Sequence, residues 1–205
     1  MIIEMIFKSR LFLCLMLIFL VGTGYHTAQA QNWKLDPESP VLVEITGTST
    51  LHDWKVISPG TQEVPTQLSF NLKDPSQIIE FGFKVPVDSM DGGRGSSMNT
   101  KIFDAFQSSK YPFVHYHQNQ PATLTETSEQ GVFDINSVGT LSMAGTDKPI
   151  TMKCTGTIKD GTLVIAGSKR LKISDFGMIP PTAMFGQIKT NDDVVVSFEF
   201  RYIKQ

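Results

Sequence analysis

The stretch Val194-Val195-Val196-Ser197-Phe198-Glu199-Phe200-Arg201-Tyr202 puts Val194, Val196, Phe198, Phe200 and Tyr202 on one face of a strand and Ser197, Glu199 and Arg201 on the other. Side chains of an extended chain alternate with period two, so one face is to be covered and the other is wet. Ile79 to Val87 repeats the pattern, with Ile79, Phe81, Phe83, Val85 and Val87 opposed by Glu80, Gly82, Lys84 and Pro86. Ile150, Met152, Cys154 and Ile158 do the same against Thr151, Lys153, Thr155 and Lys159. Breaks fall every ten or so residues, as antiparallel sheet requires.

The breaks themselves are legible. Asp160-Gly161 is a two-residue type I′ hairpin signal, because both central residues of that turn need positive φ. Lys73-Asp74-Pro75 before Ile78, Gly145 to Pro149 before Ile150, and Asn191-Asp192-Asp193 before the last strand are further expected breaks. From Ser97 to Phe106 the period changes: Met98, Ile102, Ala105 and Phe106 have helical spacing, Ser97 is the candidate N-cap, and Tyr111-Pro112 ends the helix. Gly92-Gly93-Arg94-Gly95 lacks the Gly-Lys-Ser/Thr ending of a phosphate loop and reads as a plain loop.

At the N-terminus, Lys8 and Arg10 precede an apolar run from Leu11 to Val21, and Ala28-Gln29-Ala30 supplies a small-x-small cleavage signal. Residues 1–30 therefore read as a secretory signal peptide, and residues 31–205 as one domain with a periplasmic or secreted location. The run is shorter than the roughly 20 residues of a bilayer span, although an uncleaved anchor is the rival reading. Leu11-Phe12-Leu13 before Cys14 is not a lipoprotein site. Cleavage removes Cys14 and leaves Cys154 without an intramolecular partner, so packing has to stabilise the fold. The formal charge of −2 is spread over mixed signs, which speaks against nucleic acid as a partner.

Four segments, in order, resemble the YceI-like family of lipid- or polyisoprenoid-binding proteins. They are Trp33-Lys34-Leu35-Asp36 before Val41 to Ile45, Met98 to Phe106 with Tyr111-Pro112, Gly139-Thr140-Leu141 through Gly145 with Lys148-Pro149, and Ser174-Asp175-Phe176-Gly177. Ser49-Thr50-Leu51-His52-Asp53-Trp54 departs from better-known members, which marks a divergent branch. The resemblance implies an all-β, antiparallel, lipocalin-like eight-stranded barrel with one short helix over an end. It also implies a long polyisoprenoid or quinone tail inside, with no covalent cofactor.

The apolar faces alone fit either a packed core or a ligand cavity. If a ligand is held, Phe81, Phe83, Val85, Met143, Met152, Phe198 and Phe200 are the interior candidates, the methionines adapting to an irregular tail. His52, beside Asp53 and Trp54, is the candidate head-group donor, against a plain polar turn. His115 and His117 share a strand face and form a weaker metal candidate. No nucleophile elbow occurs, and Cys154 lacks an adjacent base, so catalysis is not expected. Met178 to Pro181 and Ala183 to Phe185 are the exposed apolar candidates, as a barrel lid or a homodimer contact.

Overall fold

The chain is seen in a computed structural model that describes residues 31–39, 41–60, 67–71 and 74–204; the expected signal peptide, residues 1–30, and Lys73 lie outside them. The strands are β1 (Gln31–Leu35), β2 (Val41–Ser49), β3 (Asp53–Gly60), β4 (Gln67–Asn71), β5 (Asp74–Glu80), β6 (Gly82–Pro86), β7 (Phe113–Gln118) and β8 (Ala122–Glu126). They continue as β9 (Val132–Met143), β10 (Thr146–Lys159), β11 (Thr162–Lys172), β12 (Thr182–Ala183) and β13 (Ile188–Lys204). A single described α-helix, α1 (Ser96–Phe106), connects β6 to β7.

Antiparallel pairing closes a ring. At one end β13 bonds β1, and the ladder passes through β4, β5, β8, β9, β10 and β11 back to β13. At the other end β2, β3, β6 and β7 take the places of β1, β4, β5 and β8. There the β3–β6 side is joined by reciprocal bonds between Ile57 and Asp91, at 2.9 and 2.8 Å. The first four staves of an eight-stranded barrel are thus each broken once, and the last four run unbroken.

The broken staves explain where strict alternation fails. β5 and β6 are separated at Phe81, and the interruption resets the phase, so Ile78 and Phe81 both point inward while Ile79 is 46% exposed. Ile79 is therefore not an inner residue. Ile158, next to the Asp160-Gly161 turn, sits on the rim beyond the packed interior and is 42% exposed. Val194, Phe198, Phe200 and Tyr202 are buried, and Val196 packs against the core cluster that holds the last three.

The turns follow their chemistry with three corrections. Asp160 and Gly161 have φ of 50° and 75°, the expected I′ hairpin. The second hairpin needs only Ala144-Gly145, both with positive φ, so β10 begins at Thr146 and Lys148-Pro149 lie within its ladder. Asn191 to Asp193 do not precede the last strand but form a bulge inside it, where pairing jumps from Thr190–Ser49 to Val194–Gly47. The N-cap of α1 is Gly95, not Ser97, at φ 79° and with no side-chain bond.

Gly139 shows why one resembling segment needs its glycine. A Cβ there would overlap the His117 carbonyl oxygen and the Tyr116 ring that lies across the glycine. Tyr116 is buried, and its hydroxyl shares a 2.7 Å hydrogen bond with the buried Ser137.

Candidate ligand-binding site

The barrel interior is divided. Towards the β1 end, Phe81, Phe83, Tyr116, Phe198 and Phe200 form a contiguous aromatic plug, with ring centroids 5.1 to 6.3 Å apart. Offset and edge contacts at these separations favour a dense floor. Above it, two small chambers open in sequence. The inner one, about 60 Å³, is lined by Val43, Phe83, Val85, Met90, Leu141, Met152 and Phe198. The outer one, about 100 Å³, lies under α1 and is lined by Trp54, Val56, Met98, Ile102, Phe176 and Met178. Ile45, Phe106, Met143, Leu171 and Val196 line both and form the waist between them.

The helix earns its apolar spacing here. Met98, Ile102 and Ala105 face the outer chamber, so α1 is its roof. Three of the four resembling segments meet at this end. The Tyr111 ring lies on Gly145 at the tip of the β9–β10 hairpin. Thr146 Oγ1 donates to the Phe176 carbonyl at 2.9 Å, and the Phe176 side chain is buried. Ser174 donates from its hydroxyl (2.6 Å) and its amide (2.8 Å) to Asp192, and this holds the Asp192 carboxyl below the usual aspartate range. The bulge in β13 thereby fixes the turn that presents Phe176.

Outside the roof, a partly polar vestibule of about 440 Å³ adjoins the outer chamber, the two sharing Trp54, Met98, Lys101, Pro181 and Thr190. His52 lies on this vestibule, not among the apolar linings, with its Nδ1 2.9 Å from the Asp53 carbonyl oxygen. Trp54 donates to the Thr48 carbonyl at 3.0 Å and packs on Gly47. A gap also opens in the wall: β10 and β11 are paired only from Lys159–Thr162 to Cys154–Gly167. Past that point Lys169 Nζ donates to the Thr151 carbonyl at 2.8 Å across the unpaired stretch.

The predicted interior residues are thus partitioned. Phe83, Val85, Met143, Met152 and Phe198 line the chambers, whereas Phe81 and Phe200 are sealed in the plug and reach neither chamber. His115 and His117 lie with their rings 6.3 Å apart on the outer face, both exposed, as is Phe113. No third ligand joins them, and no cluster of three metal-ligating residues occurs among the described residues. Cys154 is buried, and burial pushes its thiol up to about 12, leaving no thiolate at neutral pH.

Sequence reading missed Met90, Trp54, Leu171 and Phe176 as chamber residues. Leu171 shares strand parity with Leu163 and Ile165, a signal that was available; Met90 and Phe176 sit in turns, where no periodicity marks them.

A model of the YceI-like domain matches residues 33–202. The chain belongs to the YceI-like domain family. Among solved structures this YceI-like chain is similar to BcnA of Burkholderia cenocepacia, at 17% identity and TM-score 0.63, covering 82% of this chain and 98% of that one. It is also similar to a polyisoprenoid binding domain from Saccharophagus degradans implicated in plant cell wall breakdown, at 11% identity and TM-score 0.60, covering 84% and 98%. The YCEI protein of Campylobacter jejuni aligns at 18% identity and TM-score 0.52, covering 70% and 82%. No curated protein sequence matches the chain. At these identities the likeness concerns the fold.

Proposed function

We propose that this protein is an exported, non-enzymatic carrier, periplasmic or secreted, that holds the tail of an isoprenoid-like or quinone-type lipid in the two chambers under α1. The observation that carries the reading is the pair of adjoining apolar chambers, lined from Trp54 and Met98 past Val196 to Phe83, with a partly polar vestibule beside the outer one. Family membership and the similar fold of the polyisoprenoid binding domain from Saccharophagus degradans support it.

The magnitudes limit the ligand. An engineered apolar cavity of about 150 Å³ admits benzene, so the chambers, about 100 and 60 Å³, together accept about one five-carbon unit as they stand. Each unit gains about 4 kcal/mol at about 0.8 kcal/mol per buried carbon. A longer tail needs Met98 and Met143, both half-buried and unbranched, to swing aside. The head group then rests in the vestibule beside His52, whose ring is within reach of a carbonyl or hydroxyl. Cys154, buried and protonated, offers no nucleophile.

An organic extract of exported protein purified without detergent tests the reading by mass spectrometry. The expected result is one apolar lipid per chain in substantial yield; extracts indistinguishable from a buffer blank would refute it.

A further inference from the structure

The inner chamber has a shut floor and an open side. Phe83 and Phe198 belong both to its lining and to the aromatic plug, so nothing threaded past the waist can continue along the barrel axis. The side opens where β10 and β11 part. Their pairing ends at Cys154–Gly167, whereas β10 stays paired with β9 as far as Thr146 and β11 with β13 as far as Lys172. Each edge is backed by a full neighbour, so the opening is a slit in the wall and not a frayed end. The hydrogen bond from Thr146 to the Phe176 carbonyl closes it again at its far end.

The residues along the seam keep it open. Continuing the register would set Met152 opposite Lys169, Thr151 opposite Arg170 and Pro149 opposite Lys172. Thr151 turns its carbonyl into the slit. Backbone groups alternate sides along a strand, so Pro149 faces the slit too, where its missing N–H removes a donor that a closed ladder would use.

Both lips give directly onto the chamber. Ile150 and Met152 line it from β10, and Lys169 and Leu171 from β11. Lys169 is in phase with the buried Leu163 and Ile165, which makes it an inward position, and it is the one charged residue in that lining. Its stem runs from the interior into the slit, and Nζ donates to the Thr151 carbonyl at 2.8 Å as a strap between the two edges.

Capacity gives the slit its use. The chambers together take about one five-carbon unit as they stand, and a polyisoprenoid tail is much longer. At the vestibule end the expected lid or dimer segment is split: Met178 and Pro181 line the outer chamber, while Ile179, Met184 and Phe185 face out. Behind the waist only the slit leads onward.

We propose that the slit between β10 and β11 is an outlet for the ligand's tail. With the head group in the vestibule, the tail passes both chambers, turns at the plug and leaves through the wall, displacing the Lys169 strap. The protein thereby grips the first units of a long isoprenoid tail and tolerates any length beyond them. The inference rests on the carrier reading, and its test separates the two.

Thr151→Cys and Arg170→Cys replace two exposed residues on opposite lips, and a short bis-methanethiosulfonate reagent joins them outside the barrel, reversibly with dithiothreitol. Cys154 is buried, away from the reagent. Mass confirms the bridge and circular dichroism the fold. Binding of ubiquinones with one, two or four isoprene units is read by quenching of Trp54, which lines the outer chamber. Bridging is expected to leave the one-unit quinone unaffected and to weaken the four-unit quinone at least about tenfold, with recovery on reduction. Lys169→Met keeps an unbranched stem and removes the strap's bond, so it should strengthen four-unit binding about tenfold and leave one-unit binding unchanged. Bridging that weakens all three quinones equally, or none, would overturn the outlet and leave the carrier reading in place. Four-unit binding unmoved by Lys169→Met would overturn the strap. Failure of even the one-unit quinone to bind would remove the carrier reading and the outlet with it.

Discussion

Phe200→Ala is expected to lower unfolding stability by about 3–5 kcal/mol, the range for truncating a fully buried phenylalanine. Domains of this kind have about 5–15 kcal/mol in total, so the variant should unfold at a much lower denaturant midpoint. Phe200 is 1% exposed, with its ring 5.1 Å from Phe198 and 5.5 Å from Phe83. It is held between neighbouring strands, opposite Ile165. Because the rings of Phe81, Phe83 and Phe198 pack around it, rigid neighbours refill the vacated space poorly, which places the cost within that range. Urea titrations of both proteins, followed by circular dichroism, measure the difference; a loss under about 1 kcal/mol would mean a loosely packed floor.

Val196→Phe is expected to abolish lipid retention while leaving the fold intact. Val196 lines both chambers, and a ring at this waist occupies the space of about one five-carbon unit. Losing burial of half a unit to a whole one removes about 2–4 kcal/mol, or roughly 30- to 1,000-fold in affinity. The added ring fills existing space, so stability should change by no more than the 1–3 kcal/mol typical of overpacking. Val164→Phe, on the outer face of the neighbouring strand, adds the same volume away from the chambers and should retain lipid. Lipid per chain, quantified in organic extracts of the three proteins, reads the outcome. Undiminished lipid in Val196→Phe would move the ligand out of the chambers.

The legible parts of the fold were those written in period two or in turn chemistry. Val194 to Tyr202, Asp160-Gly161 and the apolar spacing of Met98, Ile102 and Ala105 each express a local rule, and each stands in the structure. Ile79 failed because a stave broken at Phe81 changes phase, a tertiary event that leaves no mark on alternation. Asn191 to Asp193 looked like a strand boundary because Asn and Asp usually stop strands. Here the bulge they form is retained, and Asp192 is bound to Ser174.

The site was less legible than the fold. An inward position in a barrel is either floor or lining, and parity does not distinguish Phe200 from Phe198. Only the depth of each residue along the barrel, set by how the staves are staggered, seals Phe200 inside the plug and brings Phe198, at the plug's face, to a chamber wall. The vestibule joins residues from loops far apart in sequence, such as His52, Arg94 and Thr182, so no single segment announces it.

The most direct measurement is a crystal structure of exported protein purified without detergent. The expected result is elongated apolar density running from Trp54 and Met98 through the Val196 waist to Phe83, ending in a polar group beside His52. Side chains closed together across both chambers, with no density between them, would contradict it.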